Sequence, residues 1–134
     1  MAIKRIVLII VSVLLLTGCT FQLGSTNNRS GTFVVRTDRV KNDTWTFIAD
    51  SANGQSTKII EMDSGNLTAL NVTSKVGGGE ASLIITQGET TRTIELSEGF
   101  EGNIDMQGFS AGKISLRLQF TKASDVNVVV GWIN

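Results

Sequence analysis

The feature that most constrains this chain is the strict alternation in GKISLRLQFT, residues 112–121. Ile114, Leu116, Leu118 and Phe120 alternate with Lys113, Ser115, Arg117, Gln119 and Thr121. Side chains of a strand point to opposite faces with a period of two, so this pattern specifies a strand with one face on a core and one in water. The following stretch, DVNVVVGWIN, sets Val126, Val128, Val130 and Trp132 on one face. Val129 and Ile133 fall on the other face, which predicts a strand covered on both sides and central in its sheet.

The same reading gives strands over 32–40, 43–50, 56–62, 66–75, 80–86, 90–96 and 102–106. No stretch has the 3.6-residue period of an amphipathic helix. Asn53-Gly54, Ser64-Gly65, Gly77-Gly78-Gly79, Gln87-Gly88 and Gly99 punctuate these runs and read as turns, because such residues tolerate positive φ. LIITQGETTRTIEL reads as a β-hairpin around Gly88. Many short strands at this spacing argue for an all-β sandwich or barrel, and an antiparallel β-sandwich over residues 31–134 is the expectation. Trp45 and Trp132 lie in alternating strands and are expected in its core.

The amino terminus has a different character. Lys4 and Arg5 precede an apolar run from Ile6 to Leu16, broken only by Ser12, and Leu16-Thr17-Gly18 leads into Cys19. A membrane-spanning helix needs about 20 apolar residues, so the run is short for a permanent span and fits a signal peptide over 1–18. Cys19 is the only cysteine in the chain, so it has no intramolecular disulfide partner. Residues 20–30, TFQLGSTNNRS, are polar and aperiodic and read with Cys19 as a flexible tether, 19–30, of at most ~40 Å.

Leu16-Thr17-Gly18-Cys19 resembles the lipobox of bacterial prolipoproteins. That resemblance implies a diacylglyceryl group on the Cys19 thiol, recognition of Leu16, Thr17 and Gly18 by lipoprotein signal peptidase, and cleavage after Gly18. It implies a membrane partner through acyl chains on Cys19, and a lipid-anchored location on the extracytoplasmic face of a cell membrane. Thr20, where Asp would signal retention, implies the outer membrane in a Gram-negative cell. One acyl chain binds membranes only marginally, whereas two or three anchor stably. A second resemblance rests on GKISLRL, 112–118, and SGNLTALNVTSKVGGGEASLII, 64–85. These are similar to strands of secreted jelly-roll-like sandwiches, including pre-peptidase C-terminal domains and small lipoproteins of unknown function. They imply a jelly-roll-like fold and an accessory role.

Composition narrows the chemistry. The chain has no His, which removes Ser-His-Asp and Cys-His catalysis and His-based zinc sites. From Cys19 onward ten Lys/Arg face twelve Asp/Glu, so no basic footprint for nucleic acid exists. Gly77-Gly78-Gly79 runs into Glu80-Ala81-Ser82 and a strand, so it lacks the Lys-Ser/Thr pair and helix of a phosphate loop. The acids Glu61, Asp63, Glu98, Glu101 and Asp105 fall in or near loops. Two of them suitably placed would suit glycoside hydrolysis, and a cluster with Asn66 or Asn103 would suit Ca²⁺. No spacing fixes either arrangement, so solvated loop charges are the expectation, with no metal site, no cofactor and no catalytic residue. Lys113, Arg117, Gln119 and Thr121 are expected on a solvated sheet face.

Phe100 and Phe109 stand in Gly-flanked contexts, EGFEGN and QGFSAG. Exposed, they would stack on sugars or anchor a protein; buried, they would plug the sandwich. The loops at 98–102 and 107–112 are the candidate binding region. The chain is therefore expected to be a non-enzymatic envelope module for a protein partner or an envelope polymer. A carbohydrate-binding module for peptidoglycan is the first alternative and a carboxylate-based wall hydrolase the second.

Overall fold

A computed structural model describes residues 28–62 and 69–132. Six antiparallel strands make up the domain: β1 (Asn28–Lys41), β2 (Thr44–Met62), β3 (Ala69–Gln87), β4 (Thr90–Glu95), β5 (Phe100–Asp105) and β6 (Gly112–Trp132). β6 is central, between β2 and β3, as expected, but its cover is one-sided: the buried side chains share one face, Val129 on the other is half-buried, and Ile133 lies outside the described residues. The order is β1-β2-β6-β3, and β3 then carries β4 along one half of its length and β5 along the other.

Asn53-Gly54 and Gly77-Gly78-Gly79 are not turns between strands. They lie inside β2 and β3, and runs expected to be separate strands are single strands of 19 to 21 residues. Register shifts fall at one level across the sheet: at Val34–Thr37, at Ala52/Gly54 and at Gly78/Glu80. There the long strands bend, and one sheet folds over into two facing halves. Sheet I contains β1, β2, β6 and β3 on one side of the crease together with β5; sheet II contains their other halves together with β4.

Extra residues at the crease keep the apolar face inward. In β3 the buried positions are Leu70, Val72 and Ser74 before the bend, then Ala81, Leu83 and Ile85 after it. Without one inserted residue the second set would point to water, since a one-residue slip reverses every side chain. Glycine makes the bend sterically feasible. Gly31 and Gly54 are paired across β1 and β2 at φ +121° and +141°. A Cβ on Gly54 would lie 2.1 Å from the Ser30 carbonyl oxygen.

Aromatic rings fill the space between the halves. Phe47 of sheet I stacks on Phe120 of sheet II at 5.2 Å, and Phe33 meets both rings edge-on. Trp45 and Trp132 are buried, with indole N–H groups donating to Asp38 Oδ1 at 2.9 Å and Asp43 Oδ1 at 3.2 Å. β1 begins at Asn28, inside the stretch read as tether, and Ser30 already pairs with Gln55.

The two edges of the sandwich differ. At one, β1 runs through both sheets and is joined to β2 by Asn42 and Asp43, both with positive φ, the signature of a tight hairpin turn. Asp38 is the hub there, with its side chain 3% exposed. It accepts from the Trp45 indole and forms ion pairs with Lys58, at 3.2 Å, and Arg29, at 3.4 Å. Lys58 and Arg29 belong to sheet II and Asp38 to sheet I, so the cluster bolts the halves together. At the other edge β4 and β5 both pair with β3 and not with each other.

Asp38→Ala leaves the buried Lys58 ammonium without its carboxylate, a change expected to remove about 3–5 kcal/mol of stability. Gly54→Ala forces a side chain into the crease and is expected to remove about 1–3 kcal/mol. Urea unfolding followed by the fluorescence of Trp45 and Trp132 measures both. An Asp38→Ala midpoint within error of the parent would show that the cluster does not hold the sheets.

Candidate functional site

The open edge holds a concavity. Arg92, Thr93 and Ile94 of β4 face Asn103, Ile104 and Asp105 of β5 across a groove of about 600 Å³, bounded by Gln107 and Gly108. That volume lies within the range of small-molecule sites. The groove exists because β4 and β5 diverge into different sheets while sharing β3 as neighbour. Its floor is apolar, Ile94 and Ile104 being almost fully buried. Its rim is polar: a guanidinium, two carboxamides, a carboxylate and a hydroxyl.

Side-chain bonds fix the rim. The Gln107 amide N–H donates to Asp105 Oδ1 at 3.0 Å, and Gly108 takes a positive φ to turn the chain. The Phe109 N–H donates to the Met106 carbonyl, closing that turn at 3.1 Å. Gln87, at the end of β3, grips the far side of the loop through the Ser110 carbonyl and amide, both at 2.8 Å. Arg92 donates to the Gln107 carbonyl at 2.8 Å and lies over the Phe109 ring, 5.4 Å from its centroid. Stacking and a hydrogen bond together hold the guanidinium at the groove wall.

Phe109 is 7% exposed, so its ring is a base for Arg92 and offers no face to solvent. Phe100 is half-buried, packed on the core, and its ring lies 3.6 Å from where a Cβ on Gly102 would stand. The exposed large apolar side chains among the described residues are Val34, Val40 and Ile59, and none is aromatic. Glu98, Glu101 and Asp105 gather at the open edge, with Asp105 in the groove, whereas Glu61 sits at the end of β2 opposite Lys113. Cys19, Leu16, Thr17, Gly18, Asp63 and Asn66 lie outside the described residues. Among the described residues no three of His, Cys, Asp and Glu group as a metal site.

Arg92, Asn103 and Gln107 complete the groove, and sequence reasoning did not assign them to a binding site together. A signal existed for Arg92: in TTRTIEL it shares the phase of Ile94 and Leu96, so a charge occupies an inward position of an edge strand.

A smaller, polar hollow of about 310 Å³ lies on the outer face of sheet II. It is lined by Glu80, Ser82, Glu95, Ser97, Gln119 and Thr121, so this face is shaped as well as solvated. Glu95 accepts from the Ser97 hydroxyl and, at 3.2 Å, from the Ser97 amide. These bonds favour the ionised form and hold its carboxyl below the ordinary glutamate range. A proton-donating acid needs the opposite shift.

No family model matches the chain, and no curated protein matches it by sequence. A likeness to solved structures exists. TmCBM61, a carbohydrate-binding module solved in complex with β-1,4-galactotriose, superposes with a TM-score of 0.50 at 14% identity, over 83% of this chain and 89% of that one. A CBM4 structure covers 83% of this chain and 79% of its own at a TM-score of 0.35 and 10% identity. The likeness is one of fold: an antiparallel β-sandwich resembling a carbohydrate-binding module.

Glu95 is expected to titrate below an ordinary glutamate in a carboxyl-detected NMR titration, and Ser97→Ala to return it toward the ordinary value. Because the folded-state value is depressed, any stability Glu95 contributes is present above the unfolded-state pKa and lost as pH falls through the folded one. An unchanged midpoint in Ser97→Ala would show that Ser97 does not hold the carboxylate.

Proposed function

We propose that this domain is a non-catalytic carbohydrate-binding module, held at the extracytoplasmic face of a membrane by lipid on Cys19, with the β4–β5 groove as its binding site. The observation that carries the reading is the groove: Ile94 and Ile104 lie among residues with hydrogen-bonding side chains, Arg92, Asn103, Asp105 and Gln107. Sugars present the same two chemistries, apolar C–H faces and a ring of hydroxyls. Asn103, Gln107, Arg92 and Asp105 meet the second, while Ile94 and Ile104, 9% and 7% exposed, supply only a small apolar base for the first. The fold it shares with TmCBM61, which holds a β-linked galactan trisaccharide, supports the choice of ligand class.

A hydrolase is disfavoured by the same geometry. Hydrolysis needs two carboxyl groups flanking the bond, one of them holding a proton. Among the residues lining the groove Asp105 is the lone carboxylate. In the outer hollow, Glu95 is biased toward ionisation. The lipid anchor is supported by the apolar run and Leu16-Thr17-Gly18-Cys19, and it makes an envelope polysaccharide such as peptidoglycan the natural ligand. A protein partner is a second reading, favoured by the unpaired backbone edges of β4 and β5, which present donors and acceptors to an extended peptide.

Residues 19–134 are expected to pellet saturably with purified cell-wall sacculi, or to be retarded in gels containing β-1,4-galactan. Asn103→Ala and Gln107→Ala should each weaken binding about tenfold, the loss of one hydrogen bond to a desolvated ligand. Gln119→Ala, in the outer hollow, should bind as the parent does. Retention by neither polysaccharide, or equal loss in Gln119→Ala, would reject the groove as a glycan site and turn the search to peptides. Separately, Cys19 from membranes of a lipoprotein-processing bacterium is expected to carry the mass of acyl chains, and Cys19→Ser to leave the membrane fraction. An unmodified Cys19 would refute the anchor.

A further inference from the structure

Charge in this domain is divided between its two edges. β1 carries Arg29, Arg36, Arg39 and Lys41, all exposed. Its one acid, Asp38, turns its side chain into the sandwich, where Lys58 and Arg29 meet it. Nearby, Asp50 pairs with Arg36 at 2.7 Å and Asp43 lies in the adjoining turn. The opposite edge, residues 88–111, holds Glu89, Glu95, Glu98, Glu101 and Asp105 against Arg92 alone, a net charge of −4. β1 is also where the chain from the anchor enters: only residues 20–27 separate Cys19 from it.

We propose that the β1 edge rests on an anionic lipid surface, turning the β4–β5 groove away from the membrane. The proposal rests on the anchor at Cys19. A negative surface attracts one edge and repels the other, so the orienting force comes from the difference between them. Screening confines it to groups within about 10 Å of the surface at 0.1 M salt, and the eight residues 20–27, which span at most ~28 Å, let the β1 edge reach that range. Linkage through so few residues corresponds to an effective concentration of order millimolar, so an attraction too weak to recruit the domain from solution still orients it. A second copy of the chain is a poor occupant of this edge. Pairing β1 with itself would bring Arg36, Arg39 and Lys41 against like charges, the arrangement by which edge strands avoid self-pairing.

The test uses residues 19–134, isotope-labelled and coupled through the Cys19 thiol to a maleimide lipid in nanodiscs, so it does not depend on native lipidation. The core and all the strand pairings described arise within residues 28–132, so this part supplies its own fold. A gadolinium-chelating headgroup reports which amides approach the bilayer. In discs containing about one-third phosphatidylglycerol, amides of β1 are expected to broaden severalfold more than those of β4 and β5. The difference should vanish in phosphatidylcholine discs, in about 1 M salt, and in Arg39→Glu/Lys41→Glu. Those two side chains are exposed and apart from the core, so the variant's spectrum should keep the parent's dispersion. Equal broadening of both edges in anionic discs, or greater broadening of β4 and β5, would overturn the orientation. The acyl mass on Cys19 from native membranes stays a separate result, so failure of the anchor and failure of the orientation are distinguishable.

Discussion

Everything in this molecule depends on the crease where one antiparallel sheet folds onto itself. β2, β3 and β6 each contribute a length to both halves, so the two layers of the sandwich are covalently one sheet. A strand can bend this sharply only if its backbone is free to adopt positive φ and no Cβ fills the inside of the fold. Gly31 and Gly54 meet both conditions face to face; Gly79 does so against the Lys122 carbonyl, 2.2 Å from where its Cβ would stand. Opposite Gly79, β6 turns through Lys122 and Asp125, which take positive φ without being glycine. The bulges serve a second purpose, since each extra residue restores the inward phase of the strand that follows.

Continuous strands close one edge of the sandwich and leave the other to be built differently. β1 spans both layers, and Asp38 ties them with ion pairs whose partners come from the opposite layer. β4 and β5 are short, and neither spans the crease. They hang on separate halves of β3 and leave between them a space that the backbone cannot fill. The groove is thus a by-product of topology, and the side chains facing it were free to become polar without loss of core.

Most of the fold could be read in the sequence, and the exceptions have one cause. Alternation located β6, placed it centrally, put Trp45 and Trp132 in the core and marked the hairpin at Gly88, because each of these is a local, period-two property. The same reading cut β2 at Asn53-Gly54 and β3 at Gly77-Gly78-Gly79. A change of phase accompanied by glycine has the same signature whether the chain turns back or bends on. Only the register of the neighbouring strand distinguishes them, and that is a non-local fact. The site was half legible for a related reason. The loop containing Gln107 and Gly108 was singled out by its glycines and Phe109, yet Arg92 joins it from a different strand, and the role of Phe109 is to support that arginine.

That arrangement bears on the chemistry that the proposed groove presents. An open aromatic platform binds through area and is tolerant of which hydroxyls surround it. Here the ring is beneath the guanidinium, so the aromatic contributes rigidity to a hydrogen-bond donor in place of direct contact. Ile94 and Ile104 are nearly as buried as Phe109, so the groove has little apolar area to offer. The balance therefore shifts from stacking toward directional hydrogen bonds, whose strength depends on the donor already standing in place. Arg92 is held by Phe109 and the Gln107 carbonyl, the Gln107 backbone by Asp105, and the loop by Gln87, so the guanidinium and the loop backbone already stand in place. On the proposed reading, a ligand in this groove would be selected by hydrogen-bond geometry more than by stacked area.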